Sequence, residues 1–301
     1  MVDLLLGALA ISFSAVFMKL VEVGPTAAGF YRMLFGGLML VGWMALRGER
    51  PRLGRKWPWV AVAATAFALD LIFWHRSILA VGTGLATLLA NFQVFLVALA
   101  SVAFLGERGG WRLAVAVPLA LVGLALIVGV DPEALAPGQR LGVAWGLATA
   151  VCYAGYILSL RAARRGEPAS PVASIALISL ASAALLGIAV PLDGESFAVP
   201  SVTDLGLLLL YGLIGQVLGW VFISRAIDQV PASRVALVLL LQPVFAYLWD
   251  VAFFARRFTA TELAGAALAL LAIQLGAARR SGEDPQRPRA ELDVDDRRGG
   301  V

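Results

Sequence analysis

Inside long apolar runs of this 301-residue chain stand a few side chains able to make directed polar contacts. Ser14, Asn91, Gln93, Tyr153, Gln216 and Gln242 carry hydroxyls or carboxamides, which donate and accept hydrogen bonds without bearing charge. Arg32, Asp70, His75 and Arg76 add two guanidiniums, a carboxylate and an imidazole. Such a set suits reversible recognition of a polar solute, because each group can exchange a protein partner for a ligand without covalent change. It suits catalysis poorly. The single histidine, His75, has no serine motif beside it to complete a nucleophile and base pair, and the single cysteine, Cys152, allows no internal disulfide. One histidine and one cysteine also fall short of a His- and Cys-rich metal site. No glycine-rich stretch ending in Gly-Lys-Ser or Gly-Lys-Thr is present to cradle nucleotide phosphates. No catalytic residue, metal or cofactor is therefore expected.

The elements that must carry these groups follow from composition. At 60% hydrophobic and 15% charged, with mean hydropathy +0.85, the chain has more apolar surface than one globular core can hide. Of 24 basic and 20 acidic residues, the stretch from Arg279 onward holds six of each, so the remainder is poorer still in charge. Both a soluble enzyme and a disordered chain are excluded. The pI of about 9.6 does not indicate nucleic acid, because the basic residues sit in short clusters between apolar runs, where membrane orientation accounts for them. A bilayer span needs about 20 apolar residues. Ten runs fit: Leu4 to Leu20, Thr26 to Leu46, Trp57 to Trp74, Thr83 to Leu105, Leu113 to Val130, Leu141 to Leu160, Pro171 to Val190, Leu205 to Ile223, Ala232 to Phe254, and Glu262 to Ala278. The first lacks a basic n-region and a cleavage site and reads as a retained helix.

Lys and Arg beside a span resist translocation, so the basic loops set the orientation. Arg47, Arg50, Arg52, Arg55 and Lys56 follow the second run, Arg108 and Arg112 the fourth, Arg161, Arg164 and Arg165 the sixth, and Arg279 and Arg280 the tenth. Both termini are thus expected in the cytoplasm, and the acidic segment Asp193 to Asp204 outside. Arg256 and Arg257, after the ninth run, depart from this rule. The tail 279–301 reads as disordered.

Self-comparison finds a repeat. Trp74-His-Arg-Ser-Ile-Leu-Ala-Val-Gly82 aligns with Ile223-Ser-Arg-Ala-Ile-Asp-Gln-Val-Pro231, and Asn91-Phe-Gln-Val-Phe95 with Leu240-Leu-Gln-Pro-Val244, at one offset: 225 − 76 = 149 and 242 − 93 = 149. Residues 1–130 and 141–278 therefore read as two five-helix halves. An odd helix number makes the second half enter from the opposite face, which is the inverted-repeat design of alternating-access carriers. The expected fold is all-α and integral to the membrane, with ten transmembrane helices in two inverted repeats, N-in and C-in.

With Phe104-Leu-Gly-Glu-Arg108 closing the fourth run and a glycine-punctuated fifth run after it, the chain resembles the EamA family of the drug/metabolite transporter superfamily over about residues 4–278. The segments Phe73-Trp-His-Arg-Ser-Ile78 and Gly84-Leu-Ala-Thr-Leu-Leu-Ala-Asn-Phe-Gln-Val94 resemble a bacterial subgroup within it. The resemblance implies movement of a small metabolite, most often outward, with amino acids among the family's cargoes. Two features depart from the family pattern. Phe253-Phe-Ala-Arg-Arg257 lacks the acidic residue the family usually repeats there, and the first run has no carboxylate of the kind small multidrug exporters use for protons.

At a rise of 1.5 Å per residue, Ser12, Ser14, Asn91, Gln93, Tyr153, Gln216 and Gln242 fall near the midplane. Polar groups at that depth either line a cavity or hydrogen-bond helices together. Pro243 is expected to weaken its helix beside Gln242. In the outer half, Arg32 and Asp70 are expected to form an ion pair, with His75 and Arg76 at the exit; the group reads as a gate or a landing site for an anion. That pairing would also keep Asp70 from carrying protons, so movement without an imposed pH gradient is expected. Phe92, Phe95, Tyr153, Tyr156, Phe245 and Trp249 are candidates to line a cavity, and Trp57, Trp59, Trp74 and Trp111 to form an interfacial belt. The expected partners are a small-molecule metabolite and the lipid bilayer, with no nucleic acid, in a monomer or homodimer of the bacterial inner membrane. An intramembrane enzyme and an inert scaffold are the alternatives.

Overall fold

The computed structural model describes residues 1–49, 55–81, 83–106, 110–128, 139–165, 170–227, 229–254 and 259–277, and the regular elements among them are all helical. The tail 279–301, Arg108, Arg256 and Arg257 lie outside the described residues. In chain order the helices are α1 (Val2–Ser12), α2 (Ser14–Leu20), α3 (Pro25–Leu46), α4 (Trp57–Val81), α5 (Thr83–Ala90), α6 (Gln93–Phe104) and α7 (Trp111–Val128). There follow α8 (Arg140–Arg164), α9 (Pro171–Leu192), α10 (Val202–Tyr211), a π segment (Gly212–Leu218), α11 (Gly219–Ala226), α12 (Ala232–Leu239), α13 (Leu241–Phe254) and α14 (Ala260–Ala277).

Eight segments are long and apolar enough to cross a bilayer: Val2–Leu20, Pro25–Leu46, Trp57–Val81, Ala86–Phe104, Arg140–Arg164, Pro171–Leu192, Val202–Ala226 and Ala232–Phe254. Trp111–Leu126 and Ala260–Gly276, the fifth and tenth expected runs, are apolar but shorter. Several segments are interrupted at mid-length, and the interruptions have local causes. In the first, Ser12 Oγ donates to the Leu9 carbonyl at 2.6 Å, diverting that acceptor from the ladder just where α1 gives way to α2. Between α5 and α6, Asn91 Nδ2 donates to the Thr87 carbonyl at 2.7 Å in the same way. Between α12 and α13 the cause is Pro243, which has no N–H for the Leu239 carbonyl, and the helix turns at Leu240. The interruptions at Asn91 and Leu240 stand at the repeat offset, 240 − 91 = 149, although an amide makes one and a proline the other.

Packing is most extensive for α4 on α8, α7 on α14, and α3 on α9. Small residues set the approach. Gly123 of α7 sits so close to α14 that a Cβ there would lie 2.6 Å from both Ala269 N and the Gly265 carbonyl oxygen. A Cβ on Gly36 of α3 would stand 2.6 Å from Gln216 Cβ in the π segment. The core contact of α4 with α8 is aromatic: the rings of Phe67 and Tyr156 stack at 4.2 Å, and Trp220 of α11 meets Tyr156 edge-on at 4.5 Å.

The two ends of the bundle are tied differently. At one end the acidic segment folds over the start of α3: Glu195 accepts from Thr26 N and Ala27 N at 3.2 and 2.8 Å, satisfying helix N–H groups that have no intrahelical acceptor. Asp193 accepts from the Thr26 hydroxyl at 2.8 Å and pairs with Arg76 at 2.9 Å. At the other end, cations satisfy helix C-termini. Lys56 Nζ donates to the carbonyls of Ala162 and Arg165 at 3.2 and 2.9 Å, and Arg161 donates to those of Ile227 and Val230.

Candidate functional site

A cavity of about 560 Å³ opens among the interrupted helices. First-half walls come from α1 and α2 through Ser12 and Ser14, from α3 through Arg32, from α4 through Phe67 and Asp70, and from α5 with its C-terminal turn through Thr87 and Asn91. Second-half walls are Thr149 and Tyr153 of α8, Trp220 of α11, and Gln242 and Tyr247 of α13. It reaches Lys19 and Pro25 at the end of the bundle carrying the acidic segment.

Of the polar groups that sequence position put near the midplane, Ser12, Ser14, Asn91, Tyr153 and Gln242 line this cavity. Gln242 Nε2 donates to the Tyr153 hydroxyl at 3.2 Å, joining two walls, and Ser14 Oγ has no hydrogen-bond partner. Gln93 and Gln216 are elsewhere. Both are fully buried between helices: Gln93 Nε2 reaches the Ala236 carbonyl at 3.5 Å, and Gln216 Nε2 donates to Ser179 Oγ at 2.8 Å. Their amides hold α6 to α12 and the π segment to α9. Although Gln93 and Gln242 are repeat-equivalent, only the second faces the cavity.

Arg32 and Asp70 both line the cavity, but no direct ion pair joins them among the described residues, which corrects the sequence expectation. The guanidinium has other neighbours. It lies 5.2 Å from the Tyr211 ring centroid and 5.8 Å from that of Phe67, with Nη1 3.5 Å from the Tyr211 hydroxyl and Nη2 3.4 Å from the Gly215 carbonyl. The π segment puts that carbonyl within reach. Without that pair, the expected movement in the absence of an imposed pH gradient has no structural support. His75 is buried against Gly29, where a Cβ would come within 3.1 Å of Cε1, and neither ring nitrogen is hydrogen-bonded. Arg76 spends its charge on Asp193 and lies over the Trp145 ring at 5.5 Å. His75 and Arg76 therefore stand outside the cavity wall.

The aromatic expectations divide as well. Tyr153 lines the cavity, whereas Phe92 and Phe95 are more than a third exposed on the bundle's outside. Trp249 stacks on Phe13 at 4.4 Å and donates to Ser12 Oγ at 2.8 Å. Trp57, Trp59 and Trp111 are exposed at helix ends, but Trp74 lines the cavity. Trp220 and Phe67 escaped sequence reasoning. Position gave no signal for Trp220, which stands three residues before the end of the eighth expected run, where an interfacial tryptophan is ordinary. Tyr247 and Glu262 were also missed: the Tyr247 hydroxyl donates to Glu262 Oε2 at 2.7 Å, and Glu262 accepts from Thr259 N at 2.8 Å as the return half of a capping box.

Comparison with known proteins returns one family description twice, EamA-like transporter family, over residues 2–129 and again over 140–275. The pseudopaline exporter CntI of Pseudomonas aeruginosa (strain UCBPP-PA14) is 30% identical over 251 residues, covering 81% of this chain and 82% of that protein. The uncharacterized transporter YwfM of Bacillus subtilis (strain 168) is 27% identical over 255 residues, 83% of each chain. A solved crystal structure superposes with a TM-score of 0.80 over 91% of this chain and 94% of its own, at 18% identity, and so shares the fold.

Proposed function

The chain belongs to the EamA-like transporter family, a membrane transporter family, and on that premise we propose that it is a secondary carrier moving a small polar or amphipathic metabolite, an amino acid or related compound, out of a bacterial cell across the inner membrane. The observation that carries this reading is a cavity walled by both halves where their helices are interrupted, since exposed backbone and amides at such breaks are where alternating-access carriers hold solutes. Arg32, Ser14, Asn91, Tyr153 and Gln242 contact the solute, while Gln93 and Gln216 hold the frame. The related exporter supports the outward direction.

The finer architecture in this proposal is ten crossings in two inverted halves, 1–130 and 141–278, with both termini cytoplasmic. Three observations support it. The family description matches each half separately. Helix interruptions recur at the repeat offset. The packing pattern is preserved when the halves are exchanged: α4 on α8 corresponds to α11 on α1, while α7 on α14 and α3 on α9 map onto themselves. With this orientation the cavity opens to the outside and the Lys56 and Arg161 ties close the cytoplasmic end.

Two measurements test the proposal. In proteoliposomes, an imposed gradient of a bound metabolite should give flux above that of protein-free vesicles; no flux for any compound that binds would overturn the carrier reading. For orientation, cysteines are placed singly in a Cys152→Ser background. Glu49→Cys, exposed after α3, should react with an impermeant maleimide only from the cytoplasmic side, and the exposed Ser196→Cys only from outside. Reversed labelling would sink the N-in assignment.

A further inference from the structure

Resting on the carrier reading and its inverted halves, the open outer part of the cavity marks where a closed inner part of the solute path lies. Ile11 of α1 and Trp74 and Ile78 of α4 line the cavity. Their equivalents at the offset of 149 are Leu160 of α8, Ile223 of α11 and Ile227 just after it, and all three are 0% exposed. The counterpart of the outer opening is thus packed shut between α8 and α11, which meet. One face of α8 runs from the cavity toward that seam. Thr149 and Tyr153 line the cavity, and Tyr156, Leu160 and Ala163 follow at helical spacings of three and four. Tyr156 is fully buried and its hydroxyl has no hydrogen-bond partner. An orphaned hydroxyl at bilayer depth is costly in this state and is satisfied once water or a solute reaches the face that carries it.

The two ties at the cytoplasmic end differ in what they join. The Ile227 carbonyl would accept from the N–H four residues on, but that residue is Pro231, which has none. Arg161 of α8 supplies the donor instead: Nη1 reaches the Ile227 carbonyl at 2.7 Å and also meets that of Val230. Lys56 joins the start of α4 to the end of α8. Because α8 packs on α4 and α11 packs on α1, the outer gap between α1 and α4 and the inner seam between α8 and α11 divide the same two helix pairs. Tilting one pair on the other closes the first and opens the second. Phe67 and Tyr156 of one pair meet Trp220 of the other at 5.4 and 4.5 Å between ring centroids, which places the pivot at the cavity floor.

We infer that the cytoplasmic half of the solute path runs between α8 and α11, with Tyr156 on its wall, and that Arg161 is the latch released in each cycle while Lys56 stays bound.

The test is cysteine reactivity in the Cys152→Ser background with an impermeant methanethiosulfonate, applied to intact cells for the outer face and to inverted vesicles for the cytoplasmic face. Leu160→Cys should react from the cytoplasmic face only. Leu186→Cys, equally buried toward the outer end of α9, should react from neither. Arg161→Ala should speed the Leu160→Cys reaction at least about tenfold, since losing charge-assisted bonds shifts the population toward the open seam, and Lys56→Ala should change it less than about twofold. A Leu160→Cys variant that stays unreactive from the cytoplasmic face, an equal response to Lys56→Ala, or reaction of Leu186→Cys at a comparable rate would each overturn the inference. The comparison of Leu160→Cys with Leu186→Cys keeps Arg161 in place, so it decides the path even where Arg161→Ala does not fold. Flux in proteoliposomes with Leu160→Cys silent refutes this path and leaves the carrier; cytoplasmic reaction without flux of any compound that binds refutes the carrier and leaves the opening.

Discussion

Gln242→Leu should lower substrate flux by at least roughly tenfold while leaving the melting temperature within a few degrees of wild type. The amide lines the cavity, and its bond to the Tyr153 hydroxyl at 3.2 Å joins two cavity walls rather than filling a packed core. Leucine keeps nearly the same volume, and Tyr153, itself on the wall, can bond to water in the open cavity instead. Gln93→Leu should behave in the opposite way. Its side chain is fully buried with Nε2 toward the Ala236 carbonyl, so the substitution removes a donor between α6 and α12 and touches no solute. Flux per folded molecule should persist and stability should fall by about 0.5–1.5 kcal/mol, the net worth of a typical internal hydrogen bond. Parallel flux and melting measurements on the two variants check this. Equal loss of flux in both, at equal stability, would remove the distinction between cavity amide and packing amide.

The largest effect on folding is expected at Gly123. A Cβ there would lie 2.6 Å from two backbone atoms of α14, Ala269 N and the Gly265 oxygen, and backbone cannot rotate aside as a side chain can. Gly123→Leu must therefore force α7 and α14 apart. Membrane helices associate through this close packing rather than through a hydrophobic force, so the loss exceeds the roughly 1–3 kcal/mol typical of an overfilled core. Little monodisperse protein should be recovered from detergent. Gly42→Leu is the control, because a Cβ at Gly42 meets nothing within 4 Å and the position is exposed toward the bilayer. It should be recovered at wild-type yield, and fluorescence-detected size exclusion of the two variants gives the comparison. Monodisperse Gly123→Leu at normal yield would show that α7 and α14 do not pack as described.

Much of this molecule was legible before any coordinates. Long apolar runs can satisfy their backbone in lipid only as helices, so hydropathy alone marks the class and the approximate limits of the helices. The EamA resemblance and the repeat at offset 149 rest on residue identity, and Pro243 announces a helix break by its chemistry. Position along each helix was legible too, since residue number converts to distance through a constant rise. Azimuth was not. Helices that are apolar on every side carry no stripe to show which face meets a neighbour, a cavity or lipid, so Gln93 and Gln242 look alike in sequence and only packing separates them. Arg32 makes the same point. Sequence supplies one nearby opposite charge, Asp70, but the Tyr211 hydroxyl and the Gly215 carbonyl, 179 and 183 residues from Arg32 in the chain, become its neighbours only because α3 packs on the π segment at Gly36. Partner choice at bilayer depth depends on which helices touch, and that is decided by tertiary structure alone.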